Sequence, residues 1–288
     1  MLDLQAVLRP ASAAEAVQAL AGTQGRGLYV AGGTIVVPVA PKLDFLVDLT
    51  AAGLGGIRAE DAAGGSGVLV LGATLTIGDL LRSPEAGRPP SGLLRQTAAG
   101  LANHTVRNLA TVAGNLLAWS FPTDLPPALL VLDATLVVAG PAGRRTITLE
   151  DFYARRRDSF ASGDLVVEVR VPETEPGLAG AFEKMGRKRL DVALVNAAAA
   201  VRLEDGRIAD ARLAMNGVGG PPRRFRDVEG FLAGKPAEPD LFAEVARMVS
   251  ASAEPRPSHR AGADYLKKLA GIAARRALMR AAGLIKEQ

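Results

Sequence analysis

The sequence predicts an α+β fold built in two parts, residues 1–175 and 176–288. A length of 288 residues corresponds to two domains, since a domain averages roughly 150 residues. The composition, 48% apolar and 22% charged, is that of a chain that folds around a core and is not disordered. Strand patterns alternate with helix patterns, and the Pro- and Gly-rich residues 172–180 are the best candidate for a linker between the two parts.

The first fifty residues carry the pattern of a small β-α-β unit. Ser12 is followed three residues later by Glu15, a capping-box pattern that predicts a helix over residues 13–21. Apolar runs on both sides of this helix predict strands, and we expect a first subdomain of about residues 1–55. The predicted strands are residues 3–8, 28–31 and 45–49.

A second subdomain, about residues 56–175, mixes short apolar runs with helical periodicity. Its last apolar runs alternate with polar residues, which is typical of antiparallel strands. Residues 109–116 fit a strand or a loop. The predicted strands are residues 68–73, 136–139, 146–148 and 165–171, and the predicted helices are residues 77–81, 93–102 and 126–132.

The C-terminal part begins with a hairpin signal. Asp205-Gly206 lies between apolar runs at residues 195–203 and 208–215, and this dipeptide favours the tight turn of a β-hairpin. Helical periodicity follows, so we expect a β-hairpin unit followed by helices. The predicted helices are residues 237–252 and 262–282.

The residues present exclude several kinds of site. The chain has no cysteine, so it holds no disulfide, no thiolate nucleophile and no cysteine-ligated iron–sulfur cluster. Its two histidines, His104 and His259, lie far apart in the sequence, and we expect no metal site. The Rossmann glycine fingerprint, the P-loop and the nucleophile elbow are all missing. We therefore expect no catalytic side chain.

The net charge of +4 is concentrated near the C-terminus. Residues 251–288 contain eight Lys or Arg and three Asp or Glu, at helical spacing. This pattern favours a solvated helix face or a surface for a partner protein over nucleic-acid binding. No segment has the pattern of a signal peptide or of a transmembrane helix, so we expect a cytoplasmic protein.

Three segments remain as candidate binding sites. Gly32-Gly33 follows a predicted strand, where successive backbone amides can converge on an anion such as a pyrophosphate. Residues 111–115 form a second small-residue loop, and Asp124 precedes a predicted helix, where it can accept hydrogen bonds from sugar hydroxyls. Each signal is ambiguous by itself, because Gly-Gly after a strand is also an ordinary turn and Asp before Pro-Pro is also a helix cap.

Taken in this order, the segments resemble the FAD-binding (medium) subunit of molybdenum hydroxylases, the family of the carbon monoxide dehydrogenase flavoprotein subunit and of the xanthine dehydrogenase flavin domain. The most specific stretch is Arg-Asn-Leu-Ala-Thr-Val-Ala-Gly-Asn at residues 107–115. The resemblance spans essentially the full chain. It continues at residues 182–187, 191–193, 206–208 and 265–278.

This resemblance implies a two-subdomain FAD-binding domain of the vanillyl-alcohol-oxidase/PCMH-like type and a C-terminal domain of sheet and helices, like that of the CO dehydrogenase flavoprotein. It also implies a non-covalent FAD held by a pyrophosphate loop, a second loop, a carboxylate for cofactor hydroxyls, two apolar contacts and a basic contact near the flavin. In that order the residues are Ala31, Gly32, Gly33, Thr34, Ile35 and Val36; Thr111, Val112, Ala113, Gly114 and Asn115; Asp124; Leu101 and Val166; and Lys184.

The chain departs from the family pattern at a few positions. Ala113 stands where the family commonly has glycine, and Ile35 where relatives often have a polar residue. Trp119 and Phe121 replace a more polar stretch, where they either stack near the flavin or fill the core. Val192 stands where some relatives have tyrosine. The effect of these changes on FAD affinity is left open.

The resemblance further implies a role in a heteromeric complex, a dimer of heterotrimers. A large subunit with a molybdenum–pterin cofactor would oxidise the substrate, and a small subunit with two [2Fe–2S] clusters would pass electrons to FAD on this chain. An external acceptor, NAD, a quinone or O2, would then receive them. Two alternatives stay open: a non-catalytic assembly subunit that has lost FAD, and a free-standing flavin oxidoreductase. The substrate, whether carbon monoxide, a purine, an aldehyde or an N-heterocycle, is also open.

Overall fold

The computed structural model describes residues 4–35, 42–61, 67–87, 92–118, 122–155, 160–161, 163–173 and 176–286. The chain divides into two compact units. Unit 1 contains residues 1–85, 103–118 and 134–171, and unit 2 contains residues 86–102, 119–133 and 172–288. Two internal segments thus fold with the C-terminal residues. The predicted domain boundary near residue 175 is a single cut in the sequence, whereas each of these units contains several segments of the chain. The boundary stays a prediction.

Unit 1 contains two β-sheets. Strands β1, β2 and β3 form a parallel sheet in the order β1-β3-β2, and strands β4 to β8 form a second sheet in the order β4-β5-β8-β6-β7. The strands are β1 Ala6–Leu8, β2 Gly27–Val30, β3 Phe45–Asp48, β4 Ile57–Asp61, β5 Gly67–Gly72, β6 Thr135–Gly140, β7 Gly143–Thr148 and β8 Leu165–Pro172. The α-helices of this unit are α1 Ala13–Gly22, α2 Ile77–Arg82, α4 His104–Arg107, α5 Val112–Leu116 and α7 Leu149–Ala154.

The predicted cap of α1 is confirmed. The hydroxyl of Ser12 accepts a hydrogen bond from the Glu15 amide at 3.2 Å, and the Glu15 carboxylate accepts one from the Ala11 amide at 3.0 Å. Both bonds satisfy amides near a helix start. The helix buries Ala16 and Val17 in one core with residues of β3, β6 and β8.

Unit 2 is built on one antiparallel sheet in the order β12-β11-β10-β9. At the turn between β10 and β11, Asp205 and Gly206 have φ of 49° and 74°, so the predicted hairpin is confirmed. The strands are β9 Ala179–Met185, β10 Val195–Glu204, β11 Arg207–Asn216 and β12 Arg223–Arg224. The α-helices are α3 Gly92–Ala99, α6 Leu125–Val131, α8 Arg226–Leu232, α9 Pro239–Ser252 and α10 Ala263–Ala281, and Glu85–Gly87 is a 3-10 helix at the border between the units.

The main correction concerns residues 109–116, which the pattern assigned to a strand or a loop. Residues Val112–Leu116 form helix α5, because the Thr111 hydroxyl caps its first turn by accepting from the Gly114 amide. Strand β9 was not predicted either, since Ala179–Met185 shows no regular alternation of apolar and polar residues. The patterns also did not predict strands β4 and β12 or helices α4, α7 and α8. Within the described residues, no helix is both long and apolar enough to span a membrane.

Candidate functional site

The glycine loop, residues 31–35, follows strand β2 in unit 1. Gly33 adopts the left-handed conformation with φ of 64°, whereas Gly32 does not. A change of handedness between neighbouring residues turns successive amides towards one side, as in anion-binding nests. Within the described part of the chain, no group accepts a hydrogen bond from the amides of residues 32–35. Among the described residues, these amides are thus left open as hydrogen-bond donors.

Gly32 is required for packing, and not for a left-handed backbone conformation as at Gly33. A Cβ at this position would overlap the carbonyl oxygen of Leu109. The missing side chain thus allows the glycine loop to pack directly on residues 109–110, which lead into α5. The structure in this way brings together the two glycine-containing segments that the sequence singled out.

The amides at the start of α5 are already engaged. All four, from residue 112 to residue 115, donate to groups of the protein over 2.9–3.2 Å. Their acceptors are, in order, the carbonyls of Leu75 and Ala73, the Thr111 hydroxyl and the Thr111 carbonyl. Gly114 is the exposed residue of this segment, whereas Thr111 and Asn115 keep only 6% and 7% of their surface exposed.

Most of the other predicted contacts in the described residues are buried as well, including Ala113, Val166 and Leu101. The departure Ala113 is accommodated inside the protein, with 7% of its surface exposed. Val166 lies opposite Val138 in the register of β8 with β6 and keeps 2% of its surface exposed. Leu101 follows α3 and keeps 6%. The latter two expected apolar contacts have little surface open to a ligand.

In unit 2, Asp124 and Lys184 form a buried ion pair. The Lys184 Nζ lies 2.7 Å from Asp124 Oδ2 and donates to the Gly100 carbonyl at 3.1 Å. Asp124 keeps 4% of its surface exposed. Burial raises the pKa of Asp124 above its ordinary value, and the charge and hydrogen bond of Lys184 with the hydrogen bond of Asn196 only partly oppose this shift.

The alternative role of Asp124 as a helix cap does not hold. Its side chain makes no capping hydrogen bond to α6, and both of its oxygens accept from the sheet instead. Asp124 and Lys184, which lie sixty residues apart in the sequence, are thus brought together by strand β9 and the start of α6.

Two buried amide side chains complete this cluster, and the sequence analysis missed both. Asn196 Nδ2 donates to Asp124 Oδ1 and to the Thr123 carbonyl, each at 2.9 Å, and Asn216 Nδ2 donates to the same carbonyl at 3.3 Å. A usable signal existed, since Asn196 is a polar residue inside the apolar run of β10, where an unpaired amide would be unfavourable.

Val36, Trp119 and Phe121 lie outside the described residues. Within the residues that the structure does describe, no group of three or more His, Cys, Asp or Glu side chains could hold a metal ion.

Comparison with known proteins identifies the family. The model of the FAD-binding domain in molybdopterin dehydrogenase matches residues 3–174, and the model of the CO dehydrogenase flavoprotein C-terminal domain matches residues 180–281. The chain belongs to the FAD-binding subunits of the molybdenum hydroxylases. These subunits are parts of oxidoreductases, and the α+β fold with a FAD-binding domain and a C-terminal flavoprotein domain is confirmed.

Individual relatives resemble this FAD-binding subunit over nearly its full length. It is 31% identical to the carbon monoxide dehydrogenase medium chain of Hydrogenophaga pseudoflava, over 93% of this chain and 94% of the relative. It is 28% identical to caffeine dehydrogenase subunit beta of Pseudomonas sp. (strain CBB1), over 96% and 95%. A crystal structure of the Cu,Mo-CO dehydrogenase in its cyanide-inactivated form matches with a TM-score of 0.90 and 27% identity, over 99% of this chain and 100% of that one.

The residues present fit FAD. A diphosphate needs several donors without bulky side chains, and the glycine loop has amides that no described group uses and a left-handed Gly33. In unit 2, a carboxylate and an ammonium group lie together beside two amide side chains, a set that suits the hydroxyls and polar ring atoms of a flavin cofactor.

Proposed function

We propose that this subunit transfers electrons from iron–sulfur clusters of a partner subunit, through FAD, to an external acceptor such as NAD, a quinone or O2. Bound FAD supplies the redox chemistry, since a flavin can exchange electrons singly or in pairs. Clusters held by cysteine must lie on another chain, because this one has no cysteine.

The observation that carries this proposal is the set of amides in the glycine loop, residues 32–35, that donate to no group among the described residues. Ala31, Gly32, Gly33, Thr34 and Ile35 would hold the pyrophosphate, followed by Val36 from the sequence pattern. Unpaired backbone donors lower stability unless a ligand or water accepts from them. Retaining them beside a left-handed glycine is therefore typical of a site for an anionic ligand.

The other predicted residues would contribute differently. Asp124 would accept hydrogen bonds from cofactor hydroxyls, and Lys184 would place a positive charge near the flavin. Since the amides of residues 112–115 are engaged, Thr111 and Asn115 would act through their side chains, and Gly114 and Ala113 by leaving room. Val112, Leu101 and Val166 would provide apolar surroundings more than direct contact area.

We further propose that the working unit is a complex. The relatives named above are a medium chain and a subunit beta, and a molybdenum-cofactor subunit and a small iron–sulfur subunit would complete a heterotrimer, present as a dimer. This chain would bind FAD, shield it from water and set its potential, and the partner with the molybdenum cofactor would select the substrate.

An absorbance spectrum of the purified full chain tests the proposal. We expect the visible bands of a flavin, and chromatography of the cofactor released by denaturation should identify about one FAD per chain. Anaerobic addition of the substrate to the assembled complex should then bleach these bands, while the isolated chain should not turn over. A colourless chain that takes up no added FAD would instead support an assembly subunit, and turnover by the chain alone would support a free-standing oxidoreductase.

A further inference from the structure

Three polar side chains form a row across the sheet of unit 2. In the register of the strands, Lys184 of β9 lies opposite Asn196 of β10, and Asn196 lies opposite Asn216 of β11. Side chains of residues paired in this way project from the same face of a sheet. The row meets Thr123 and Asp124, the two residues that precede helix α6.

Asn196 is the central residue of this row and has two acceptors. Its Nδ2 donates to Asp124 Oδ1 and to the Thr123 carbonyl, both at 2.9 Å. The orientation of the amide is fixed by this arrangement, because a flipped amide would place its oxygen against two acceptors. Asn216 shares the Thr123 carbonyl at 3.3 Å, and its Oδ1 accepts from the Gly217 amide.

This row of polar side chains does not favour the stability of the folded chain. Asn196 is fully buried, and among the described residues neither its Oδ1 nor the Thr123 hydroxyl has a hydrogen-bond partner. Unpaired buried polar atoms destabilise the folded state, and a partly satisfied polar network is less stable than an apolar core. Strand β10 is otherwise apolar at this level, with Val195 and Ala197 also fully buried.

We propose that Asn196 is a positioning residue of the FAD site, which fixes the Asp124 carboxylate in the orientation where it pairs with Lys184 and meets the cofactor. This inference rests on the proposed function, in which Asp124 and Lys184 contact FAD. Asn196 does not touch the cofactor itself, since none of its surface is exposed.

No other charged group described near this row can replace Asn196. On β9, Glu183 precedes Lys184 and therefore faces the opposite side, where it pairs with Arg276 and Arg280 of α10. The arginines of β11 and β12, Arg212 and Arg224, bind Asp133 at the other end of α6. Among the described residues, Lys184 is thus the ionisable group that faces Asp124. Asn196 donates a hydrogen bond to the other oxygen of the Asp124 carboxylate.

The first test compares Asn196→Leu with Asn216→Leu in the purified full chain. Leucine has a similar size, and the control removes a buried amide from the same row without touching Asp124. We expect the dissociation constant of FAD, from a fluorescence titration, to rise about tenfold in Asn196→Leu and less than about threefold in Asn216→Leu, since a hydrogen bond to a charged group is roughly twice as strong as a neutral one. Thermal unfolding of the FAD-free chains should show similar midpoints.

The second test uses Asn196→Asp, which keeps the shape but replaces the amide donor by a carboxyl group. Two carboxyl groups at this distance share a proton. At acidic pH the introduced group donates an O–H to Asp124, and FAD affinity should approach that of the wild type. As the pH rises and this proton is lost, the affinity should fall. A merely structural role would give a ratio of affinities that does not change with pH.

The outcomes separate the two proposals. If the wild type binds FAD but Asn196→Leu loses no more affinity than Asn216→Leu, the positioning role of Asn196 is wrong and the proposed function stands. If the wild type neither contains nor takes up FAD, the proposed function is wrong and the role of Asn196 falls with it.

Discussion

The glycine loop of unit 1 and the Asp124–Lys184 pair of unit 2 have polar groups in opposite states. Amides 32–35 have no acceptor among the described residues. Asp124 and Lys184 form an ion pair with 2.7 Å between Oδ2 and Nζ, and Asn196 donates a hydrogen bond to the other carboxylate oxygen. Among the described residues, the amides of the first region thus remain open, whereas the carboxylate and ammonium groups of the second region are paired within the protein.

Because of this difference, we expect changes in the glycine loop to affect mainly FAD binding, and changes in the Asp124–Lys184 pair to affect mainly the stability of the fold. Open donors in a half-buried loop contribute little to folding, so a change at Gly33 should alter FAD affinity and leave the fold intact, whereas a side chain at Gly32 would overlap the Leu109 carbonyl. A buried pair is coupled to the fold, because removing one partner leaves an unpaired charge in the interior. Helix α5 lies between these extremes, since its amides are engaged by the protein although the segment belongs to the family motif.

The largest expected effect comes from breaking the closed region with Lys184→Met. The Asp124 charge then loses its buried partner, and we expect the free energy of unfolding to fall by about 3 kcal/mol in urea titrations. Exposed Lys268→Met is the matched control and should change it by less than about 0.5 kcal/mol. The double variant Asp124→Asn with Lys184→Met should recover most of the loss.

The same variant has a defined pH dependence. Burial raises the pKa of Asp124, so its contribution to stability is present below the unfolded pKa and is lost as the pH rises through the folded pKa. Lys184→Met removes an attraction that opposes this shift, and the pKa of Asp124 should rise further. The stability difference from the wild type should therefore be smallest at acidic pH and grow towards neutral pH; a constant difference would contradict the buried charge as its cause.

The next largest effect comes from adding a charge to the open region. Gly33→Asp places a carboxylate at the proposed pyrophosphate loop, and we expect FAD to bind about 100-fold more weakly, as for like charges a few ångströms apart at a protein surface. The Gly33→Asn variant is the control, because asparagine has the shape of aspartate without its charge and also tolerates the left-handed conformation. This variant should lose far less affinity for FAD. Gly53→Asp has a similar φ, 67° at Gly53 against 64° at Gly33, and open space around it. It should bind FAD like the wild type.

The smallest effect concerns the engaged amides of α5. Thr111→Ala removes the capping hydroxyl and should lower the free energy of unfolding by about 1 kcal/mol. Gly114→Ala alone should stabilise little or not at all, because its Cβ would lie 2.8 Å from the Thr111 hydroxyl oxygen. In the Thr111→Ala background this contact is gone, and Gly114→Ala should stabilise by up to about 0.8 kcal/mol through helix propensity. Additive changes in urea unfolding would show that the two positions do not share the cap.

Local patterns predicted much of the fold. The Ser12–Glu15 box, the Asp205-Gly206 hairpin and the helical periodicity of residues 237–252 and 262–282 are all confirmed, because caps, tight turns and amphipathic helices depend on neighbouring residues. Several short elements escaped prediction, and helix α5 and strand β9 are two of them. One is a five-residue helix fixed by a cap, and the other is a strand held by pairing with β10.

The sequence by itself determined the family, many of the elements and the segments proposed to bind FAD, since motif spacing and the chemistry of glycine and cysteine are properties of the chain. Only the tertiary structure decided which of those groups are open. Whether an amide has an acceptor, or whether Asp124 caps its helix or binds Lys184 and Asn196, depends on residues brought close from distant strands. Hydrogen bonds act over about 3 Å in space, and sequence separation does not limit them.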